Sequence, residues 1–246
     1  MTQVEKLAAQ IDEARTLRRD AVEEAAALMN RAISKLLDES DWSIKSLSDV
    51  LSTSPRNGLS PKARVETGGR GMLRINAVSS SPTRFVDTLA VKNVDVDEED
   101  AQPFVLQNDD VFIVRYNGDI DRVAKPAIYK GENRTRIVYP DKLMRLRPDP
   151  LKMTPDFLVF ALSSRSVRSQ IEEIGKTTAG NIGISGANAK SFRVPVPPVS
   201  EQCRIVAELD TLQAEMDGLK GLQAETAAEL DALLPAILDK AFKGEL

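Results

Sequence analysis

The stretch Phe192-Arg193-Val194-Pro195-Val196-Pro197-Pro198-Val199 divides the chain between two kinds of structure. Its three prolines lack backbone donors and hold the residues before them in extended geometry, so this segment cannot be helical. After it, Ser200 is a suitable N-cap and Glu201 places a negative charge in the first turn of a helix. The sequence therefore predicts an extended connection up to residue 199 and a helix that begins at residue 200.

This predicted helix carries an apolar seam, defined here as the residues that recur mostly in steps of three and four along one face. The seam consists of Ile205, Leu209, Leu212, Met216, Leu219, Leu222, Leu230, Leu233 and Ile237. A helix of about 40 residues is roughly 60 Å long, which is more than a small domain can bury. We therefore expect the seam to pack against another helix, with Gly218, Gly221 and Pro235 as local weak points.

A second long helix is predicted at the beginning of the chain. Thr2 and Glu5 have the spacing of a capping box. The apolar residues that follow at helical spacing are Val4, Leu7, Ile11, Ala14, Ala21, Ala25, Leu28 and Ala32. The helix is expected to end near Leu37, and neither terminal helix can bury its apolar face alone.

Between the two helices the pattern changes to short segments. Residues 52–70 are rich in Ser, Pro, Gly and Asn and are predicted to form a long loop. Strands are predicted at 72–78, 104–106, 111–116, 127–130, 136–139 and 143–146, with a turn at Asn117-Gly118 and a helix from Thr154 to Gly175. The predicted fold class is α+β, in which residues 41–199 form one mixed α/β domain flanked by long coiled-coil-type helices at 1–40 and 200–246.

Composition argues against several classes of enzyme. The absence of histidine removes the commonest general base and most zinc sites, and the single cysteine excludes an internal disulfide. No Gly-Lys-Ser/Thr phosphate-binding loop is present, and the glycine-rich residues 67–71 lack dinucleotide-binding spacing. We therefore predict no catalytic site, metal or cofactor. Without a long apolar run or a signal peptide, the protein is expected to be soluble and cytoplasmic.

The net charge of −4 conceals an uneven distribution. Residues 41–200 carry 23 basic and 19 acidic side chains, and five of the acidic ones lie in the run 95–100. The rest of this segment therefore has a net charge of +9, whereas both terminal helices are acidic. A basic surface of this kind permits the binding of a polyanion.

The loops of the basic segment contain the side-chain types that contact DNA. Arg and Lys donate to guanine, Asn pairs with adenine, and Thr donates to phosphates. The candidates are Arg56, Asn57, Lys62, Arg64, Arg115, Asn117, Arg122, Lys125, Lys176, Thr177, Thr178 and Asn181. For each residue taken singly, an ordinary solvated surface is an equally good interpretation.

Several segments resemble the specificity subunits of Type I restriction–modification systems. Residues 176–185, the proline connection 194–198 and the helix start 201–206 are similar to the junction between a target-recognition domain and a conserved helix in that family. The ending 233–246 is similar to the family's C-terminus, and Trp42 with residues 47–50 and 114–118 also resembles parts of it. The resemblance extends from about residue 41 to residue 246.

The resemblance implies a non-catalytic subunit that recognises double-stranded DNA through residues 41–199. It also implies docking of methyltransferase subunits on the helices and, through them, of restriction subunits, to which S-adenosylmethionine and ATP belong. Full-length family members have two recognition domains, whereas this chain has one, so it resembles a half-length subunit or a fragment. A homodimer through the seam would restore two domains and recognise a bipartite target with symmetric halves.

The alternative is a coiled-coil scaffold whose central domain binds protein rather than DNA. Such a scaffold requires neither the positive charge of the middle segment nor an affinity for DNA that depends on salt.

Overall fold

A computed structural model describes residues 3–61, 63–64, 69–81, 83–131, 136–175 and 182–243. The helices are α1 Gln3–Ile33, α2 Asn76–Ser79, α3 Glu98–Ala101, α4 Pro155–Ser163, α5 Arg165–Gly175, α6 Gly186–Ser191 and α7 Val199–Lys243. A π-helical turn, Ser34–Asp38, follows α1, and 3-10 turns lie at Leu47–Val50, Gln102–Phe104 and Ile120–Arg122. The strands are β1 Ile44–Ser46, β2 Leu51–Asn57, β3 Ala63–Arg64, β4 Arg70–Leu73, β5 Val91–Asp95, β6 Val111–Val114, β7 Tyr116–Asn117, β8 Pro126–Ile128, β9 Leu143–Pro148, β10 Ile182–Gly183 and β11 Arg193–Pro195.

The chain separates into two compact units. Ile33–Val206 is called here the globular unit, and Met1–Ala32 together with Ala207–Leu246 is called the helical unit. This architecture confirms the predicted class, a mixed α and β fold with long terminal helices. None of the described helices has the length and apolar character needed to span a bilayer.

The core of the globular unit lies on an antiparallel sheet with the strand order β2-β9-β6-β8. All four residues of β6 are buried, which explains the uninterrupted apolar run of this strand. The ring of Phe112 in β6 meets that of Tyr139 edge to face, with 4.9 Å between the ring centroids. A smaller sheet, β3-β5-β4, lies in the same unit.

The proline connection is extended, as predicted, and it closes the globular unit. Strand β11 pairs with β1, and the amide of Val196 donates to the Ser43 carbonyl at 2.8 Å. Helix α7 begins at Val199. The predicted N-cap at Ser200 was therefore wrong, because this residue already lies inside the helix.

Gln202 fixes the first turn of α7 to the globular unit. Its side chain is fully buried, and Nε2 donates to the carbonyls of Lys152 at 2.7 Å and Pro197 at 2.9 Å. Its Oε1 accepts the amide of Thr154 at 2.7 Å. Thr154 in turn caps α4, where its hydroxyl accepts the Phe157 amide, as the sequence predicts.

The predicted loop at 52–70 was wrong over its first part. Residues Leu51–Asn57 form β2, which pairs with β9 at the edge of the main sheet. An edge strand with register shifts tolerates Pro55, because its lost donor is not needed by a second neighbour. The predicted strand at 72–78 ends at Leu73, and the predicted helix of 154–175 is divided by the extended Ser164.

In the helical unit, α1 and α7 run antiparallel and contact each other within one chain. Arg15 pairs with Asp231 at 2.7 Å, and Nη2 of Arg18 donates to Oγ1 of Thr226. Ile11, Ala25 and Met29 of α1 and Leu209 and Met216 of α7 are buried. Pro235 lies inside α7.

Candidate nucleic-acid interface

Two segments that are distant in sequence meet at the turn after β6. Strand β7 pairs with β10, so that Asn117 lies opposite Ile182 and Tyr116 opposite Gly183. The amide of Ile184 donates to the Arg115 carbonyl at 2.8 Å. The predicted turn at Asn117-Gly118 thus lies against the chain that directly follows residues 176–181.

Tyr116 lies between two cations beside this strand pair. Cζ of Arg115 and Nζ of Lys142 each lie 5.7 Å from the centre of the Tyr116 ring. The phenol donates to Oδ2 of Asp141 at 3.4 Å, and burial, followed by the charge of Asp141, raises the pKa of Tyr116. Within the described residues neither Arg115 nor Lys142 forms an ion pair, so both charges are available to an anion.

Arg56 and Asn57 lie on strand β2 rather than in a loop. The guanidinium of Arg56 lies 4.5 Å from the centre of the Phe104 ring and is exposed. Asn57 is half-buried. Arg64 belongs to β3, and Lys62, Lys176, Thr177, Thr178 and Asn181 lie outside the described residues.

Lys125, which the sequence predicts as a candidate DNA contact, also has a structural role. Its Nζ donates to the carbonyls of Ser81 at 2.8 Å and Ser79 at 3.4 Å. Burial, and secondarily the charge of Arg122, lowers the pKa of Lys125. The ammonium group of Lys125 thus holds residues 79–81, and its contact with DNA stays a prediction.

Arg122 also has partners within the globular unit. Its Nε pairs with Asp119 Oδ2 at 3.3 Å, and Nη1 donates to the Ser80 hydroxyl at 3.5 Å. The Arg122 side chain remains about half exposed, so it stays a candidate.

Arg168 supports the same region, and no motif in the sequence indicated this role. From α5, Nη1 donates to the Val123 carbonyl at 2.6 Å and Nη2 to the Ile120 carbonyl at 2.8 Å. Burial lowers the pKa of Arg168. Arg168 thus holds the turn that follows Asn117, and Lys125, just after that turn, connects it to residues 79–81.

The acidic run at 95–100 is partly structured. Glu98, the first residue of α3, pairs with Arg70 and with Arg136, the latter at 3.3 Å. No group of three or more potential metal ligands occurs in the described part of the chain.

The predicted dimerisation residues divide into three groups. Ile205, Leu209 and Met216 are buried within the single chain, which removes them from the surface open to a second copy. Leu212, Leu230 and Ile237 are half-buried. Leu219, Leu222 and Leu233 are exposed, with 44%, 64% and 46% of their surface accessible.

A family model for the Type I restriction modification DNA specificity domain matches residues 39–226. The chain belongs to this family. The EcoKI specificity subunit of the type I restriction enzyme from Escherichia coli K12 is 35% identical over 196 residues, which are 79% of this chain and 41% of that protein. The StySPI specificity subunit from Salmonella potsdam is 28% identical over 155 residues, which are 63% of this chain and 33% of that protein. The chain therefore spans less than half the length of these curated relatives.

Solved structures show the same fold. A structure from work on complex assembly and conformational transition of the type I R-M system matches with a TM-score of 0.76 and 26% identity, over 99% of this chain and 58% of that chain. The HsdS subunit from Thermoanaerobacter tengcongensis matches with a TM-score of 0.61 and 24% identity, over 99% and 57% of the two chains.

Proposed function

We propose that this chain is the sequence-recognition component of a type I restriction–modification complex and has no catalytic site of its own. Its globular unit binds double-stranded DNA, and its helical unit binds protein. The observation that carries the proposal is the pairing of β7 with β10 inside the family match. This pairing sets Tyr116 and Asn117, next to Arg115, opposite Gly183 and Ile182, which follow the candidate segment 176–181 in the sequence. We propose that polar residues from these two parts of the chain contact DNA together.

The exposed apolar residues of the helical unit support a protein-binding role. Val22 and Leu28 of α1 and Leu219 and Leu222 of α7 are all exposed. Exposed apolar side chains on two helices that contact each other favour the binding of a further helical surface. We propose that a second copy and methyltransferase subunits pack here, and that restriction subunits join through the latter.

A twofold dimer would present two recognition units to a bipartite target with symmetric halves. S-adenosylmethionine and ATP would belong to the methyltransferase and restriction partners, and the complex would act in the cytoplasm.

The first test is reconstitution of the full chain with its cognate methyltransferase subunit, followed by mapping of methylated adenine or cytosine on genomic DNA. We expect modification at one bipartite, symmetric sequence, and none without this chain. A complex that forms but neither binds nor modifies DNA would instead support the protein-binding scaffold.

The second test is solution mass by light scattering. We expect a dimer of about 54 kDa, twice the 27.0 kDa chain. Replacing Leu219 and Leu222 with Asp should give a monomer, whereas Leu151→Asp, at an exposed position of the globular unit, should leave the dimer intact. An unaltered mass in the double variant would remove this surface from the dimer interface.

The third test concerns the recognition surface. Arg115→Glu or Lys176→Glu should weaken DNA binding without unfolding the chain, while Lys45→Glu, at an exposed position of β1, should have a much smaller effect. If a variant and wild type bind DNA with equal affinity over a salt series, the tested residue does not belong to the DNA-binding surface.

A further inference from the structure

A cationic cleft adjoins Tyr116 in the globular unit. The cleft has a volume of about 370 Å³ and lies between residues 59–61, 72–75 and 140–142, with Lys92 of β5 at its side. Three cations line it: Arg74, Lys92 and Lys142. Asp141 is the one acidic residue among its described lining residues.

The three cations lack ionic partners within the described residues, although many other basic residues of the unit have one. Arg84, Lys130 and Arg147, for example, pair with Asp156, Asp109 and Asp110. Nε of Arg74 donates to the Val91 carbonyl at 3.3 Å, which orients the guanidinium and leaves both terminal nitrogens for a ligand. Asp141 accepts the Tyr116 phenol. The cleft therefore has an excess of positive charge that an anion would neutralise.

The walls of the cleft are fixed by backbone contacts. The amide of Asp141 donates to the Leu59 carbonyl, and that of Leu59 to the Tyr139 carbonyl, both at 2.9 Å. A Cβ at Gly58 would lie 2.2 Å from the Tyr139 oxygen, so the close approach of these two segments requires glycine. On the opposite wall, the Arg74 amide donates to the Ala90 carbonyl at 2.8 Å. The cations are thus held on preorganised backbone.

The cleft is continuous with the candidate nucleic-acid interface. Lys142 lines the cleft and lies 5.7 Å from the centre of the Tyr116 ring, and Arg115 lies on that ring at the same distance. A polyanion bound at Arg115 can therefore extend along Lys142 into the cleft. A nucleic-acid backbone has such a continuous row of charges.

We infer that Arg74, Lys92 and Lys142 bind backbone phosphates of a DNA strand that extends beyond the recognised bases. This inference rests on the proposed function and adds a contact surface outside the predicted loops. Phosphate contacts of this kind position the duplex and contribute affinity that is independent of sequence and sensitive to salt.

The test uses the full chain and a duplex of random sequence, so that it does not depend on knowing the target. Binding is measured by fluorescence anisotropy between 50 and 200 mM salt for wild type and the triple variant Arg74→Gln, Lys92→Gln, Lys142→Gln. The matched control is Lys35→Gln, Lys45→Gln, Lys190→Gln, which removes the same charge from exposed residues of the same unit. Far-UV circular dichroism verifies that each variant is folded, and the single variant Lys142→Gln is used if the triple variant is not.

A plot of log affinity against log salt has a negative slope. We expect the magnitude of this slope to decrease by about two to three in the cleft variant, since each lost phosphate contact contributes about 0.9. Affinity at 100 mM salt should fall at least about tenfold, and the control should change the slope by less than one. Equal slopes in the two triple variants would overturn the inference while the proposed function stands. Polyglutamate binding is measured in the same way, and its loss in the cleft variant without loss of DNA binding would also overturn the inference and assign the cleft to an acidic polypeptide. A wild-type chain without salt-dependent DNA binding would contradict the proposed function itself.

Discussion

The globular and helical units differ in how far each buries its own apolar side chains. In the globular unit, β6 and its neighbours cover one another, and Phe112 and Tyr139 have almost no exposed surface. In the helical unit, large side chains such as Leu17 and Leu222 remain more than 60% exposed although α1 and α7 contact each other. The first unit closes a core of its own and leaves single side chains such as Leu89 and Leu151 exposed, whereas the second presents apolar side chains along two long helices, which suits a protein partner.

The largest difference is expected for truncation of one apolar side chain in each unit. Phe112→Ala should lower the free energy of unfolding of the globular unit by about 3–5 kcal/mol, because it leaves a cavity in a closed core. Leu222→Ala should change stability by no more than about 0.5 kcal/mol at protein concentrations at which the chain is monomeric. Fluorescence of Trp42, the single tryptophan, follows urea unfolding of the globular unit, and circular dichroism at 222 nm follows the helices. Similar losses of unfolding free energy in the two variants would contradict this difference between the units. A loss for Leu222→Ala that grows with protein concentration would indicate a dimer.

The next effect is expected at two glutamines of the same helix. Gln202→Leu leaves the Thr154 amide and two carbonyls without their partners in a buried site, and should cost about 2–4 kcal/mol in urea unfolding. Gln213→Leu removes only a surface contact with Asp217 and should cost less than about 0.5 kcal/mol. Equal midpoints for Gln202→Leu and wild type would show that the buried contacts are replaced by water.

Alkaline pH should weaken the globular unit, which contains all three tyrosines of the chain. Burial raises the pKa of Tyr139 from 10.0 to about 12, so the unfolded chain loses this proton at lower pH than the folded one. The stability contributed by neutral Tyr139 is complete below pH 10 and is lost as the pH rises to 12, a fall of roughly 2–3 kcal/mol. Urea midpoints at pH 9.5 and 11.5 test this, and Tyr139→Phe should show a smaller fall. If the urea midpoint of Tyr139→Phe falls as much as that of wild type, other groups cause the pH dependence.

The smallest effect is a gain. A Cβ at Gly218 or Gly221 meets no atom within 4 Å, so each change to Ala should stabilise α7 by up to about 1 kcal/mol through helix propensity. Thermal unfolding followed at 222 nm measures the gain. The opposite sign is expected for Gly58→Ala, where the new Cβ would overlap the Tyr139 carbonyl. A loss of stability in the two helix variants would show that these glycines serve a contact with another chain.

Local signals predicted the long helices, the proline connection and the cap at Thr154, because these depend on residues close in sequence. Strand β2 was missed since Ser, Pro and Asn favour loops, and it is held by β9, some 90 residues later. The partner of the predicted turn at Asn117 and the roles of Lys125 and Arg168 depend on equally distant contacts. The cleft cations come from three segments that are distant in sequence, so no sequence motif could have grouped them.

Pro235 has a kinetic consequence for α7. It has no amide hydrogen to donate to the Asp231 carbonyl, so the ladder of helical hydrogen bonds is interrupted at the level where Asp231 pairs with Arg15. In native-state hydrogen exchange, the amides of residues 236–243 should therefore open as a separate unit and exchange before those of residues 205–216, where Ile205, Leu209 and Met216 are buried. One continuous helix would then contain two segments with different lifetimes, and the boundary between them would be set by a single imino acid.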